Sequence, residues 1–370
     1  MAERWIDEVS ELVSSFFRYG ETYLSDDNLV FVLEEDVELK KKFTDLSSSL
    51  EKVGFVARLL REDQKLILVI SKRRPMEERR KKRELMLSAV LAITTMVIIA
   101  VDGYFRIFSD LFLTLTSEGL VWIPLPTYLI LYVLSLGLIL SSRWLGYILV
   151  LGKEGSKFSP PYLIPGLPIA IPTFGSIILQ RAPLVNRDRM VLAAISGLAL
   201  TFLSSFVLTL ASLWTLVPLS TELLESLEEK GLVAISTPLV FNVLLAAFRG
   251  DLSGRALLLD PIAWSSVVAS LVVFIDALPA WEFDGGRLFR ALFGERAHEL
   301  SSMISAIVAA VVGLLPVSIL ILLLWRLSSV ETVLDQVSPV GGKLRTLAII
   351  PILLLLVSLP VSLPLGPLMR

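Results

Sequence analysis

Apolar residues at three- and four-residue steps open the chain. Trp5, Val9, Leu12 and Phe16 line one face of "ERWIDEVSELVSSFFRYG", which predicts an amphipathic helix closed by Gly20. The period then shortens, and "NLVFVLEE" predicts a strand. Residues 37–52 return to the helical step, with Val37, Phe43, Leu46 and Leu50 on one face, and "GFVARLLREDQKLILVIS" predicts two strands around a turn at Glu62-Asp63-Gln64. The sum over residues 1–73 is an αβαββ unit, a small soluble α+β domain with nothing catalytic in it. From Leu85 the pattern changes to long apolar runs, at 85–102, 121–140, 189–217, 231–248, 261–281, 302–325 and 346–366, each near the roughly 20 residues that cross a bilayer as a helix.

Composition agrees with a membrane chain. Of the 370 residues 54% are hydrophobic and 19% charged, which excludes a disordered or collagenous protein. Lys+Arg and Asp+Glu nearly balance, at 34 against 36, so no basic surplus points to nucleic acid. There is no cysteine, which removes disulfides, thiolate metal sites and a cysteine nucleophile, and His298 is the single histidine. That count restricts metal and acid–base chemistry, because catalytic zinc sites commonly draw on two or three histidines.

Charge along the chain sets a topology. "KRRPMEERRKKRE", residues 72–84, places eight basic side chains against the first apolar run. It reads as a juxtamembrane anchor and linker (74–84) rather than a lipid- or nucleic-acid-binding patch, and it puts the N-terminal domain on the cytoplasmic side. No signal peptide is expected, since the first apolar stretch long enough to span begins near Leu85. A plain crossing at 261–281 would carry Arg287, Arg290 and Arg296 to the outer side, against the same rule, so a hairpin or broken helix is expected around Pro279. Irregular backbone at membrane depth is tolerated where it is buried in protein or lines a cavity, which makes this segment a candidate site. Its carboxylates Asp260, Asp276, Glu282 and Asp284 are candidates because charge in a membrane is costly; the competing reading places Asp260 and Glu282 in water at the interface.

Three blocks interrupt the apolar runs: 141–177, 257–279 and 275–294. "DALP" followed by "FDGGRLFRALFG", together with "KFSPPYLIP" and "PTFGSII", resembles the site-2 protease family of intramembrane zinc metalloproteases (peptidase M50), most closely its archaeal, bacterial and plastid branch without a PDZ domain. The resemblance covers about residues 85–330. It implies a polytopic all-α membrane domain over 85–370, zinc as the family cofactor, and Asp284 at the position of the third zinc ligand. Asp276, Pro279, Gly285 and Gly286 fall on the motif around it, and Thr173, Phe174 and Gly175 on the loop after the zinc helix. Counting back twelve positions from Gly155 puts the family's HExxH on Arg143, Trp144, Leu145, Gly146 and Tyr147. Both imidazoles and the general base are absent there, and Asp260-Pro261 stands where the family tends to have His-Pro. Arginine is no donor to a cation, and tryptophan takes no proton from water.

The resemblance and its departures together imply a catalytically degenerate relative with no cofactor. Arg143 is expected to act as an internal countercharge to Asp284. His298, in "GERAHEL", is expected to face solvent. The expected partners are the lipid bilayer and a transmembrane segment or membrane-protein client. Residues 159–176 read either as a groove whose exposed edge adds a client strand, or as a connector buried against neighbouring helices. Rival readings are an active metalloprotease with atypical ligands, tested by metal content, and a transporter, tested by ion flux.

Overall fold

The computed structural model describes residues 2–25, 28–72, 78–220, 225, 233–234, 237–252, 256–327, 333–361 and 368–369. Most of the acidic stretch 220–231, residues 73–77 of the basic linker and 362–366 of the last apolar run therefore lie outside the described residues.

The N-terminal residues form α1 (Ala2–Ser14), β1 (Tyr19–Ser25), β2 (Asn28–Leu33), α2 (Leu39–Lys52), β3 (Phe55–Glu62) and β4 (Lys65–Lys72), with the sheet ordered β1-β2-β4-β3. The first helix stops six residues before Gly20, and β1 is an additional strand. Val37, expected on the buried face of α2, is fully exposed ahead of the helix; Leu39 joins Phe43, Leu46 and Leu50 inside instead. The β3–β4 hairpin turns through Asp63 and Gln64 at φ 46° and 66°, the paired positive angles of a two-residue turn that follows the strands' twist.

The sheet does not end at β3. Leu59 N–H donates to the Leu334 carbonyl at 2.9 Å, and Gln336 N–H to the Leu59 carbonyl at 3.1 Å. On its other side the same segment bonds residues 184–185, with Leu334 N–H on Leu184 at 2.8 Å and Asp335 N–H on Val185 at 3.0 Å. Leu334 packs inside the core formed by α1, α2 and the sheet. A late segment of the chain thus covers the β3 edge, which would otherwise be open to further pairing.

Among the described residues three helices are long and apolar enough to cross a membrane: α3 (Glu78–Ile107), α5 (Leu125–Leu151) and α6 (Arg187–Ser212), with the short α4 (Asp110–Ser117) between the first two. Exposed apolar side chains crowd α3 and α5, among them Leu85, Ile93, Val97, Ile130, Leu134 and Leu138, as expected of surfaces facing lipid. Shorter helices follow: α7 (Leu239–Phe248), α8 (Pro261–Ala277), α9 (Asp284–Phe293), α10 (Glu295–Val311) and α11 (Leu315–Leu327), of which α7, α8 and α11 are apolar. The apolar run 302–325 is thus two helices packed against each other. Gly313 (φ 87°) closes α10 as its N–H bonds Ala310 and Leu314 N–H bonds Ala309, a Schellman stop that reverses the chain.

Between α5 and α6 lies an extended element, a hairpin of β5 (Tyr162–Pro165) and β6 (Thr173–Ile177). It runs beside α3. Arg181 pairs with Glu84 at 2.8 Å, Ser88 donates to the Pro161 carbonyl at 2.8 Å, and Ile169 N–H donates to Asp102 at 2.6 Å. Residues 84 and 102 of a helix stand about 27 Å apart, so the hairpin reaches across most of a hydrocarbon core.

Candidate functional site

The broken segment around Pro279 is present. Helix α8 begins at Asp260, whose carboxylate caps it by accepting from Ala263 N–H at 2.7 Å, and ends at Ala277; residues 278–283 are irregular before α9 starts at Asp284. Gly285 and Gly286 permit that geometry. A Cβ on either would stand 2.1 Å from a backbone carbonyl, of Ala277 and Ala280 respectively, so only glycine lets the start of α9 fold back on the end of α8.

Arg143, near the middle of α5, is 1% exposed and reaches this junction. Its Nε and Nη2 hold Asp284 bidentately at 2.9 and 3.1 Å. Nη1 donates to Asp276 Oδ1 at 2.8 Å and to the Ser176 carbonyl at 2.7 Å, and Nη2 also donates to the Glu282 carbonyl at 3.1 Å. All five guanidinium N–H groups are thus used, an arrangement the planar fork of arginine permits and lysine does not.

One turn along α5, the Tyr147 hydroxyl donates to Asp284 Oδ1. Arg287 Nη1 donates to that hydroxyl at 2.6 Å and to Asp284 Oδ1 at 3.2 Å, while Nη2 holds Glu282 at 2.9 Å and the Ile178 carbonyl. Close helix approach makes the cluster possible. A Cβ on Gly146 of α5 would meet the Ser196 carbonyl at 2.4 Å, and one on Gly197 of α6 would meet Asp284 Oδ2 at 2.6 Å.

Two guanidinium groups therefore face three carboxyl groups in a site shut off from solvent. Zinc does not suit this donor set. A cationic side chain lies against Asp284, and the carboxylate oxygens that a metal would need already accept from Arg143, Tyr147 and Arg287. Among the described residues no three His, Cys, Asp or Glu side chains converge as metal ligands.

The structure brings together Arg143, Tyr147, Asp276 and Asp284, with Gly285 and Gly286 shaping the backbone. Trp144 turns away into the apolar cluster of Met190 and Val191. Asp260 and Pro261 lie at the far end of α8, about 24 Å along the helix from Asp276. Asp260 is fully buried, contrary to its placement in interfacial water, because its carboxylate caps the helix. His298 does not face solvent either. It is 2% exposed, with its ring stacked on Trp281 at 4.9 Å. Thr173, Phe174 and Gly175 lie in β6, which is buried along its whole length, so the exposed edge considered for residues 159–176 is absent there. Gly175 takes φ 93°, a conformation that favours glycine, against Val272.

Two groups escaped the sequence reading. Arg287 was legible only as a topology-setting charge, since nothing in its spacing shows that it reaches Tyr147. The other is a second buried cluster at the opposite end of the hairpin. Asp102 there accepts from Arg106 at 2.7 Å, from Tyr132 and from Ile169 N–H, and Arg106 lies 4.5 Å over the Trp264 ring. The i, i+4 spacing of Asp102 and Arg106 at the end of an apolar run was its available signal.

Among curated proteins the chain is similar to the probable zinc metalloprotease EGY2, chloroplastic, of Oryza sativa subsp. indica and of subsp. japonica, at 28% identity over 178 residues in each. The match covers 46% of this chain and 30% of either relative, so the chain spans about a third of the length of the curated proteins it matches. No protein-family model matches, and no solved structure does. Membrane-type helices and this match make the chain a helix-rich, membrane-associated protein distantly related, at family level, to a plastid M50 zinc metalloprotease.

Proposed function

We propose that the chain is a site-2-protease-type membrane protein whose catalytic metal centre has been replaced by an internal ion-pair network, and which binds transmembrane segments or membrane-protein clients without cleaving them. The observation that carries this reading is Arg143 lying bidentate on Asp284 with every guanidinium N–H engaged. Hydrolysis of a peptide bond by a metalloprotease needs a metal to polarise the carbonyl or generate hydroxide, and a general base beside it. At the corresponding positions this chain presents a guanidinium, an indole and a phenol, none of which does either task.

Residues 1–73 are proposed as a docking domain on the cytoplasmic side. The exposed cationic turns Arg79–Arg83, directly before the apolar part of α3, support that side. The hairpin tip is the proposed client contact, because Leu167 and Ile169 stay 68% and 58% exposed while the backbone beneath them is tied to Asp102. Reconstitution of the full chain in liposomes with a fluorescently labelled single-span peptide tests this. Expected are photo-crosslinks from a probe at residue 167 or 169 and an intact peptide, with added zinc and with chelator alike. Chelator-sensitive cleavage would overturn the reading.

A further inference from the structure

The two arginines hold backbone as well as carboxylates. Arg143 Nη1 donates to the Ser176 carbonyl at 2.7 Å, and Arg287 Nη2 donates to the carbonyl of Ile178, one residue past β6. Residues two apart on a strand point their carbonyls to the same side. Here that side is turned away from β5. Ser159 N–H bonds the Leu179 carbonyl at 2.8 Å and Arg181 N–H bonds the Lys157 carbonyl at 2.7 Å, which assigns 179 and 181 to the inner edge and 176 and 178 to the outer one. The acceptors that an additional strand would use are therefore taken by guanidinium N–H groups.

The arginines come from different helices, Arg143 from α5 and Arg287 from α9. Each is held in place by carboxylates, Asp276 and Asp284 for the first and Glu282 and Asp284 for the second. A charged donor bonds a carbonyl more strongly than an amide does, so a peptide N–H does not displace either arginine unaided.

We propose that Arg143 and Arg287 form an internal cap that closes the outer edge of β6 to strand addition, and that an extended apolar polypeptide gains that edge only when a guanidinium is released. This deepens the client-binding reading and rests on it for the kind of guest.

The test uses the full chain in nanodiscs and a short, Val/Thr-rich peptide carrying a benzophenone. Two variants remove a guanidinium together with a carboxylate that the remaining arginine does not hold: Arg287→Met with Glu282→Gln, and Arg143→Met with Asp276→Asn, which leaves Asp284 paired with Arg287. Melting transitions show which variants fold. Labelling of residues 174–180 is expected to be at background in the wild type. In a folded variant it should rise about tenfold or more, the factor that one lost charge-assisted hydrogen bond represents. Absence of labelling in a folded variant would overturn the cap. The wild type supplies an arm that needs no variant. Labelling at 174–180 as strong as that at the exposed tip, Leu167 and Ile169, would also overturn it, whereas labelling confined to the tip supports it. Failure here leaves the inactivity reading standing, because cleavage is measured separately.

Discussion

Replacing Arg143 with alanine is expected to cost the folded protein about 3–5 kcal/mol, the usual penalty for removing one partner of a buried ion pair. The loss is large because three acceptors besides Asp284 depend on this side chain: the Asp276 carboxylate and the carbonyls of Ser176 and Glu282. Asp276 Oδ2 already has no hydrogen-bond partner, so removal of the guanidinium leaves that carboxyl unsupported. Thermal melting in detergent reads the effect. Asp284→Ala should fall in the same range, since it strands Arg143 and Tyr147 together. Unchanged melting temperatures for both single variants would show that the network carries no structural weight. Arg143→Lys is expected to recover only part of the loss, because an ammonium makes three bonds and lacks the fork that spans both oxygens of Asp284.

A gain of metal is the second large effect. Arg143 and Tyr147 lie one turn apart on α5, and both touch Asp284. Imidazoles at those two positions would therefore join the carboxylate as three converging donors, the ligand number of a catalytic-type zinc site. Arg143→His with Tyr147→His, leaving Trp144 in its apolar cluster, is expected to raise bound zinc from trace to about one ion per chain by mass-spectrometric metal analysis. A folded double variant that takes up no zinc would mean that positions 143, 147 and 284 do not converge as the wild-type hydrogen bonds indicate. Arg287, beside the same carboxylate, opposes the added cation, and its partner Glu282 offsets it.

How much of this was legible in the chain depends on the range of the interaction. The pairing of Arg143 with Asp284 was, through the family resemblance, which sets both residues at zinc-ligand positions, together with the need of a guanidinium in an apolar helix for an internal countercharge. The break after Ala277 was legible too, from the conflict between a plain crossing and the arginines that follow. Arg287 was not. Its neighbourhood reads equally well as cytosolic charge, and only the fold of α9 onto α8, which Gly285 and Gly286 allow, carries it to Tyr147. His298 misled for a related reason. Its charged neighbours Glu295, Arg296 and Glu299 suggest a wet helix, yet the imidazole takes the face that meets Trp281.

In the N-terminal region β1 was missed because six of its seven residues are exposed, leaving no alternation to read. Val37 was misplaced for the opposite reason, being apolar but two residues ahead of the helix. The covering of β3 by residues 334–336 had no local signal at all, since it joins positions more than 270 apart. The turn at Gly313 had a signal that the run of apolar residues masked, since Gly313 followed by Pro316 marks the stop of one helix and the start of the next.

In the proposed reading the Arg143 guanidinium takes the place of the catalytic metal. The most direct measurement is the zinc content of the wild-type chain, purified from zinc-supplemented cells without chelators and normalised to protein. The expected result is zinc far below one ion per chain, with no change in melting temperature on adding a chelator. One tightly held zinc ion per chain, whose removal lowers the melting temperature, would contradict it.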